Sequence, residues 1–261
     1  MTILAVSMNK GGVGKTSLVT NLAAALVNVH PGKKVLIIDT DGQGNSSIAF
    51  GKNPQDFDHT IYEVFLGQES IEDVVVHLSE QLDLVPANQD MNFLEFDVLM
   101  NMERYPSPFM LLKNALNGIH DQYDYIVIDS PPSMGLIAGN VLAAADSVII
   151  PFVPELFAVQ GLIRVIETMG EFIQRTNQDL KLAGIVGMMV DTRTILHSEM
   201  LQKARQYCLK QGLKMFETII PKSIRFANST AYEGKPAVWT DKSNPIVSAY
   251  FELLSEVIKS V

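Results

Sequence analysis

Asn9-Lys10-Gly11-Gly12-Val13-Gly14-Lys15-Thr16-Ser17 lies between a short β-rich run, Thr2 to Met8, and a stretch from Thr16 to Val29 whose apolar residues recur at helical spacing. Glycines at 11, 12 and 14 let the backbone turn its N–H groups inward around an anion. The helix that starts near Lys15 adds the positive end of its dipole to the same spot. A strand running into Gly-Gly-x-Gly-Lys-Thr and on into a helix is the architecture of a phosphate cradle, not of a plain tight turn.

The run closely resembles the P-loop, a glycine, four residues and Gly-Lys-Ser/Thr, with Asn9 in the place of the first glycine. The resemblance implies ATP held by Lys10, Gly11, Gly12, Val13, Gly14, Lys15, Thr16 and Ser17, with Lys15 on the β and γ phosphates. It also implies Mg2+ on the Thr16 hydroxyl, since this hard ion takes oxygen donors and keeps most of its waters.

Working outward, Lys34 to Ile38 is a continuous apolar run of the kind buried on both faces of a parallel sheet, and it ends at Asp39. Further strands are expected at Leu82 to Val85, Tyr125 to Ile128, Ser147 to Phe152, Ala183 to Val190 and Phe216 to Ile220, with helical patterns between most of them. That alternation predicts an α/β fold: a single-domain P-loop NTPase over residues 1–261, with a mostly parallel twisted sheet and helices on both faces. Residues 59–118 give no motif, and Pro106 and Pro108 break their short helical pieces. The scattered methionines (Met91, Met100, Met102, Met188, Met189, Met200) read as core filler, and lone Cys208 as a packing residue.

Of the 261 residues 47% are hydrophobic and 19% charged, without a linker-like run, so one shared core is affordable. No apolar run reaches the roughly 18 residues of a membrane span, and no signal peptide opens the chain, so a soluble, cytoplasmic protein is expected. The net charge is −9, yet residues 192–242 hold nine Lys/Arg against four acids. Their +5 leaves −14 on the remainder.

Two further motifs surround the loop. Ile38-Asp39-Thr40-Asp41-Gly42-Gln43-Gly44-Asn45 puts two carboxylates after a buried strand. Tyr125-Ile126-Val127-Ile128-Asp129-Ser130-Pro131-Pro132 ends another such strand in an aspartate, as in a Walker B motif, where Asp129 can hold magnesium through a water.

A second lysine at the start of the loop, Lys10, marks a resemblance to the deviant Walker ATPases, the family of the ParA and Soj partition proteins, MinD and the nitrogenase iron protein. In that family the extra lysine reaches the phosphates bound by a partner subunit, comparable with an arginine finger. Residues 39–45 are similar to the ParA signature Asp-x-Asp-Pro-Gln-Gly-Asn, with Gly42 in place of proline. The resemblance implies that Asp41 orients the attacking water and that Asp39 helps hold the magnesium shell. The alternative is that either carboxylate only caps the turn or the following helix. Lys10, Lys15 and Asp41 are thus the catalytic candidates; Thr16, Asp129 and Asp39 are the metal candidates.

The likeness extends through Ser147 to Leu162, Val190 to Thr194, Ile220 to Arg225 and Gly234 to Pro236. It implies that Pro221 and Asp191 contact the base, although Pro221 alone could simply end a strand. It further implies an ATP-bound homodimer on non-specific DNA, held by Arg193, Lys203, Arg205, Lys222, Arg225, Lys235 and Lys242. A ParB-type centromere-binding partner, nucleoid association and release on hydrolysis complete the expectation. The chain begins at its first strand, so no N-terminal repressor domain is expected. A MinD-like membrane role is the rival. Against it, residues 250–261 offer Glu252 and Glu256 with only Lys259, which reads as a helix packed on the domain. The single cysteine argues against an iron–sulfur carrier, since a bridging cluster ordinarily takes two or more from each subunit.

Overall fold

Runs such as Val35-Leu36-Ile37-Ile38 have no polar side to show to water, and all four are fully buried in the computed structural model, which describes residues 1–261. In chain order the strands are β1 Thr2–Val6, β2 Val35–Asp39, β3 Val76–His77, β4 Leu82–Val85, β5 Tyr125–Asp129, β6 Ser147–Phe152, β7 Lys181–Val190 and β8 Met215–Pro221. They form one sheet in the order β3-β4-β2-β5-β1-β6-β7-β8. Only the short edge strand β3 pairs antiparallel, and every other neighbour is parallel.

Helices α1 Lys15–Val29 and α2 Asn45–Ala49 follow the first two strands, and α3 Ile61–Phe65 with α4 Ile71–Val74 leads to β3. Between β4 and β5 lie α5 Leu94–Met100 and α6 Leu111–Leu116. Crossovers α7 Leu136–Ala144, α8 Ala158–Thr176 and α9 Ile195–Lys210 link β5 through β8, and α10 Ile224–Asn228, α11 Ala237–Thr240 and α12 Pro245–Ile258 complete the chain. Helices α1, α11 and α12 pack together, whereas α6, α7, α8 and α9 pack in succession.

Parallel register sets the level of the functional loops. Val6 pairs with Asp129 and Asp39 pairs with Asp129, so β1, β2 and β5 all stop at one edge. The glycine loop after β1 and both acidic motifs therefore emerge side by side, the usual ligand edge of an open α/β sheet.

The expected α12 is amphipathic: Val247, Tyr250, Leu253, Leu254 and Val257 are buried against β8 and α1. Truncating Leu253 to Ala costs about 2–5 kcal/mol on general grounds. No helix is long and apolar enough to cross a membrane. Cys208 is buried, as a packing residue should be.

Residues 59–118 turn out to be well formed. Thr60 and Glu63 make a reciprocal capping box at α3, and Ser70 and Asp73 make another at α4. Both are Ser/Thr-x-x-acid spacings that announce a helix start, although the helices are only 5 and 4 residues long. The core-filler reading of the methionines holds for Met91, Met188 and Met200, which are buried. It fails for Met100 and Met102, which stand 68% and 47% exposed on and just after α5. Leu94 and Val98 already fill the inner side of that helix, so its remaining apolar residues have nowhere to pack but outward.

Candidate nucleotide site

Two glycines of the loop need their missing Cβ. Gly12 and Gly14 hold φ of +70° and +84°, the left-handed region, and Gly14 is the N-cap of α1. A Cβ at Gly14 would also lie 3.1 Å from the Met188 methyl. The loop thus presents its amides at the start of a 15-residue helix, as an anion site requires.

The two lysines of the loop sit in opposite settings. Lys15 is buried, and its Nζ donates to the Lys10 carbonyl at 3.2 Å. Burial lowers its pKa below the usual lysine range, and the negative charges of Asp129 and Asp41 partly oppose that shift. Lys10 stands 48% exposed and pairs with Glu155 at 2.6 Å. Any phosphate that Lys10 meets has to draw it away from Glu155. Glu155 heads the exposed pair Leu156 and Phe157, and Phe157 holds φ +65° at the N-cap of α8.

Behind the loop the carboxylates divide their roles. Thr16 Oγ1 donates to Asp129 Oδ2 at 2.6 Å, and Ser46 Oγ donates to the same oxygen at 3.1 Å. The other oxygen, Oδ1, is buried without a partner. Burial raises Asp129 to about 6, a rise that the Thr16 hydrogen bond and Lys15 hold back. An orphaned carboxylate oxygen beside a hydroxyl fits a hydrated divalent cation that takes its other oxygens from water and phosphate. Asp39 is fully buried, and desolvation, then Asp129, lifts it well above the carboxylate range. Its two oxygens accept from the N–H groups of Asp41 and Ser46, both at 3.0 Å. Both oxygens of Asp39 thus accept from backbone N–H groups, the arrangement of the capping alternative open from sequence, whereas Asp129 keeps one oxygen without a partner. Asp41 accepts from the Gln43 N–H at 3.1 Å and is only half-buried.

Gly42 has a local reason to replace proline. A Cβ there would lie 3.0 Å from Asn92 Oδ1, so the missing side chain admits residues 88–92 against the acidic loop. Gly44, at φ +64°, would put a Cβ 2.5 Å from Pro54.

A cavity of about 680 Å³ opens beside the loop, lined by Gly14, Thr16, Ser17, Met189, Pro221 and Tyr250 among others. Pro221 thus both ends β8 and faces the cleft. Asp191 is absent from that lining and is clasped by Arg193, whose guanidinium holds its carboxyl well below the usual range. A base contact by Asp191 does not follow from this arrangement. Ser17 and Tyr250 share a hydrogen bond at 3.0 Å that ties α12 to the loop helix, and Met189 lines the cavity at φ +51°. Sequence reasoning missed Ser46, Met189, Tyr250 and Glu155 as site neighbours. Only Ser46 had a local signal, as the residue that directly follows the acidic motif. A second cavity of about 660 Å³ lies at the opposite edge of the sheet, around Thr2, Asp146 and Lys181.

The basic segment also divides. Lys203, Lys222 and Lys235 are exposed without ion-pair partners, whereas Arg193 and Arg205 pair with Asp191 and Glu217. Lys242 donates to Asn28 at 2.8 Å. Arg225 departs from its expected place on a phosphate-facing patch: it is three-quarters buried and clasped by Glu233 at 2.5 Å and Asp241 at 2.9 Å. A guanidinium with two carboxylates and the Thr240 hydroxyl on its fork is a structural clasp for residues 225–241.

Sheet order, cradle and flanking carboxylates together define a P-loop nucleotide-binding protein. Comparison with known proteins narrows the class. An AAA-domain family model matches residues 1–182. The chain is 36% identical over 259 residues to the chromosome partitioning protein ParA of Myxococcus xanthus, covering 98% of this chain and 88% of that one. It is 33% identical over 256 residues to the sporulation initiation inhibitor protein Soj of Bacillus subtilis, with 98% and 97% covered. A solved structure described as cobyrinic acid a,c-diamide synthase from Mycobacterium smegmatis, with a bound ATP analog and magnesium, superposes with a TM-score of 0.83 at 30% identity, covering 99% of this chain and 95% of that one. The chain belongs to the ParA/Soj family of partition ATPases, within the ParA/MinD superfamily of P-loop proteins.

Proposed function

We propose that this protein binds Mg-ATP, closes into a face-to-face dimer, holds DNA without sequence preference in that state and releases it on hydrolysis. The observation that carries the reading is the contrast within one loop: Lys15 is buried and turned into the loop, where it donates to the Lys10 carbonyl, while Lys10 stands at the exposed rim. A lysine so placed can exchange its Glu155 partner for a triphosphate held by a second copy.

The chain's own residues then act as follows. The amides of Gly11 to Lys15 wrap the phosphates, and Lys15 leaves the Lys10 carbonyl for the β and γ oxygens. Bound magnesium would supply charge neutralisation for the triphosphate, with Thr16 and, through water, Asp129 as the protein groups that hold it. Asp39 fixes the turn that aims Asp41, and Asp41 orients water toward the terminal phosphate. Lys10 exchanges Glu155 for the partner's phosphates and makes closure depend on the triphosphate. Two closed copies double the lysines presented to a duplex, which links nucleotide state to DNA affinity. The ParB-type centromere-binding partner expected of the family stimulates hydrolysis and so release.

The test is DNA retention with ADP and with ATP, alongside phosphate release. Wild type is expected to retain DNA with ATP only. Asp41→Ala is expected to retain it longer, with phosphate release lowered about 10²–10⁴-fold, the range of a positioned acid–base group. Equal release by Asp41→Ala and wild type would remove Asp41 from the chemistry, and equal retention with ADP and ATP would remove the nucleotide switch.

A further inference from the structure

Asp39 and Asp129 are register partners on β2 and β5, so two buried carboxylates stand side by side at the end of the sheet. Each needs donors to hold it. One residue serves both: Ser46, fully buried in the first turn of α2, donates from its N–H to Asp39 Oδ2 at 3.0 Å and from Oγ to Asp129 Oδ2 at 3.1 Å. The backbone of Asp129 is fixed separately, because its carbonyl accepts from the Thr40 N–H at 3.0 Å and from Thr40 Oγ1 at 2.7 Å. Only the side-chain torsions of Asp129 are left to set. The hydroxyls of Thr16 and Ser46 set them by meeting at one oxygen, which leaves Oδ1 without a partner.

The two hydroxyls differ in what else they serve. Thr16 belongs to the phosphate cradle, so magnesium engages its oxygen; Ser46 lies outside the cradle and bridges the acidic motifs. We propose that Ser46 is a positioning residue for the magnesium site, holding the Asp129 carboxylate so that Oδ1 is presented to a hydrated cation and so tying α2 to the occupancy of that site. Ser46 acts through Asp129 and not on the ligand itself. Groups that orient a metal-facing carboxylate in this way are worth about 10–100-fold in metal affinity. The proposal rests on the Mg-nucleotide reading of the cradle and adds to it a residue outside the three motifs.

The far end of α2 supplies an independent reporter. Just beyond this 5-residue helix, Phe50 packs edge-on against Trp239 with ring centroids 5.4 Å apart, and a Cβ on Gly51 would lie 3.3 Å from the Gly234 carbonyl oxygen. One end of α2 is thus held by Asp39 and Asp129, the other by residues 234–239. Trp239 is the only tryptophan, so a shift of α2 is readable at one fluorophore.

The experiment titrates a fluorescent ADP analogue into the full chain, once with magnesium and once with EDTA, and ADP keeps hydrolysis out of the measurement. Wild type is expected to bind more tightly with magnesium. Ser46→Ala is expected to lose about tenfold or more of that gain while its affinity in EDTA stays unchanged. Ser46→Thr keeps the hydroxyl and is expected to recover most of the gain. Circular dichroism melting checks each variant, and if the buried site rejects the added methyl, Ser46→Cys, a weaker donor, is expected to fall between wild type and Ser46→Ala. With unlabelled ADP bound, adding magnesium is expected to change Trp239 emission in wild type and to leave it nearly unmoved in Ser46→Ala. An equal magnesium gain in wild type and Ser46→Ala would overturn the proposal. So would a parallel loss with magnesium and with EDTA, which would assign Ser46 to the fold alone, or a full Trp239 response in Ser46→Ala, which would detach α2 from Asp129. Wild-type binding blind to magnesium would contradict the Mg-nucleotide reading itself, and the proposal with it.

Discussion

The interior of the nucleotide site and its rim hold charge in different ways. Inside, Lys15, Asp39 and Asp129 are buried, hydrogen-bonded and shifted by desolvation, so each answers to protons and to a small ligand. At the rim, Lys10, Lys203, Lys222 and Lys235 are exposed, and Lys10 alone has an ion-pair partner, so they answer to salt and to large partners. One loop spans both regimes, since Lys10 and Lys15 are its first and second cations. The difference teaches where to look for each kind of response: pH reads the interior and ionic strength reads the rim.

The largest expected effect lies inside. Asp129, raised to about 6 by burial, binds a proton in the folded, ligand-free protein that an unfolded chain would already have released above its ordinary 3.8. Its contribution to the stability of the ligand-free fold therefore grows as pH falls from about 6 toward 4 and is lost as pH rises through about 6. Magnesium needs the ionised form, so the sign reverses for the ligand. Magnesium-dependent nucleotide affinity is expected to be flat above pH 7 and to fall up to tenfold per pH unit below about 6, by calorimetric titration. Asp129→Asn should remove that step, and a step retained in the variant would detach it from Asp129.

At the rim, Lys203→Ala/Lys222→Ala/Lys235→Ala is expected to leave nucleotide affinity unchanged and to cut DNA affinity more than tenfold at low salt. The slope of log affinity against log salt should shrink by about 2–3 if all three meet phosphates. An unchanged slope would put the DNA surface elsewhere.

Glu155→Gln sharpens the contrast on a smaller scale. Freed from its exposed ion pair, Lys10 is expected to favour ATP-dependent dimerisation by about fivefold at most per protomer, because such pairs are weak. Sedimentation equilibrium reads the change, and in a Lys10→Ala background it should vanish. Weaker dimerisation by Glu155→Gln would mean that Glu155 helps closure instead of opposing it.

Arg225 tests the boundary from the other side, because its sequence position is rim-like and its setting is interior. Arg225→Ala should leave the salt slope intact and lower Tm by roughly 2–8 °C, as loss of charge-assisted hydrogen bonds does in a chain of this size. A smaller slope with an unchanged Tm would return Arg225 to the DNA surface.

Sequence alone discloses what is carried by runs of consecutive residues. The strands expected at Leu82–Val85 and Ser147–Phe152 appear with those bounds, because most of their residues are apolar and buried inside a parallel sheet. The cradle, Asp41 and Asp129 are legible for the same reason: each motif is short and contiguous. What escapes depends on residues far apart in the chain. Glu155 lies 145 residues from Lys10, and Tyr250 lies 233 from Ser17. The clasp on Arg225 likewise needs Glu233 and Asp241 to fold back, which composition counts as free charge. Residues 59–118 were opaque because their helices run to only 4–7 residues, too short for a periodicity to show.

Sedimentation velocity on wild type and Lys10→Ala, each with ADP and with a non-hydrolysable ATP analogue plus magnesium, tests most directly whether the outer lysine acts on a neighbour's nucleotide. Wild type should pass from monomer to dimer with the analogue alone, and Lys10→Ala should bind the analogue yet stay monomeric. A Lys10→Ala protein that dimerises as readily as wild type would contradict the account.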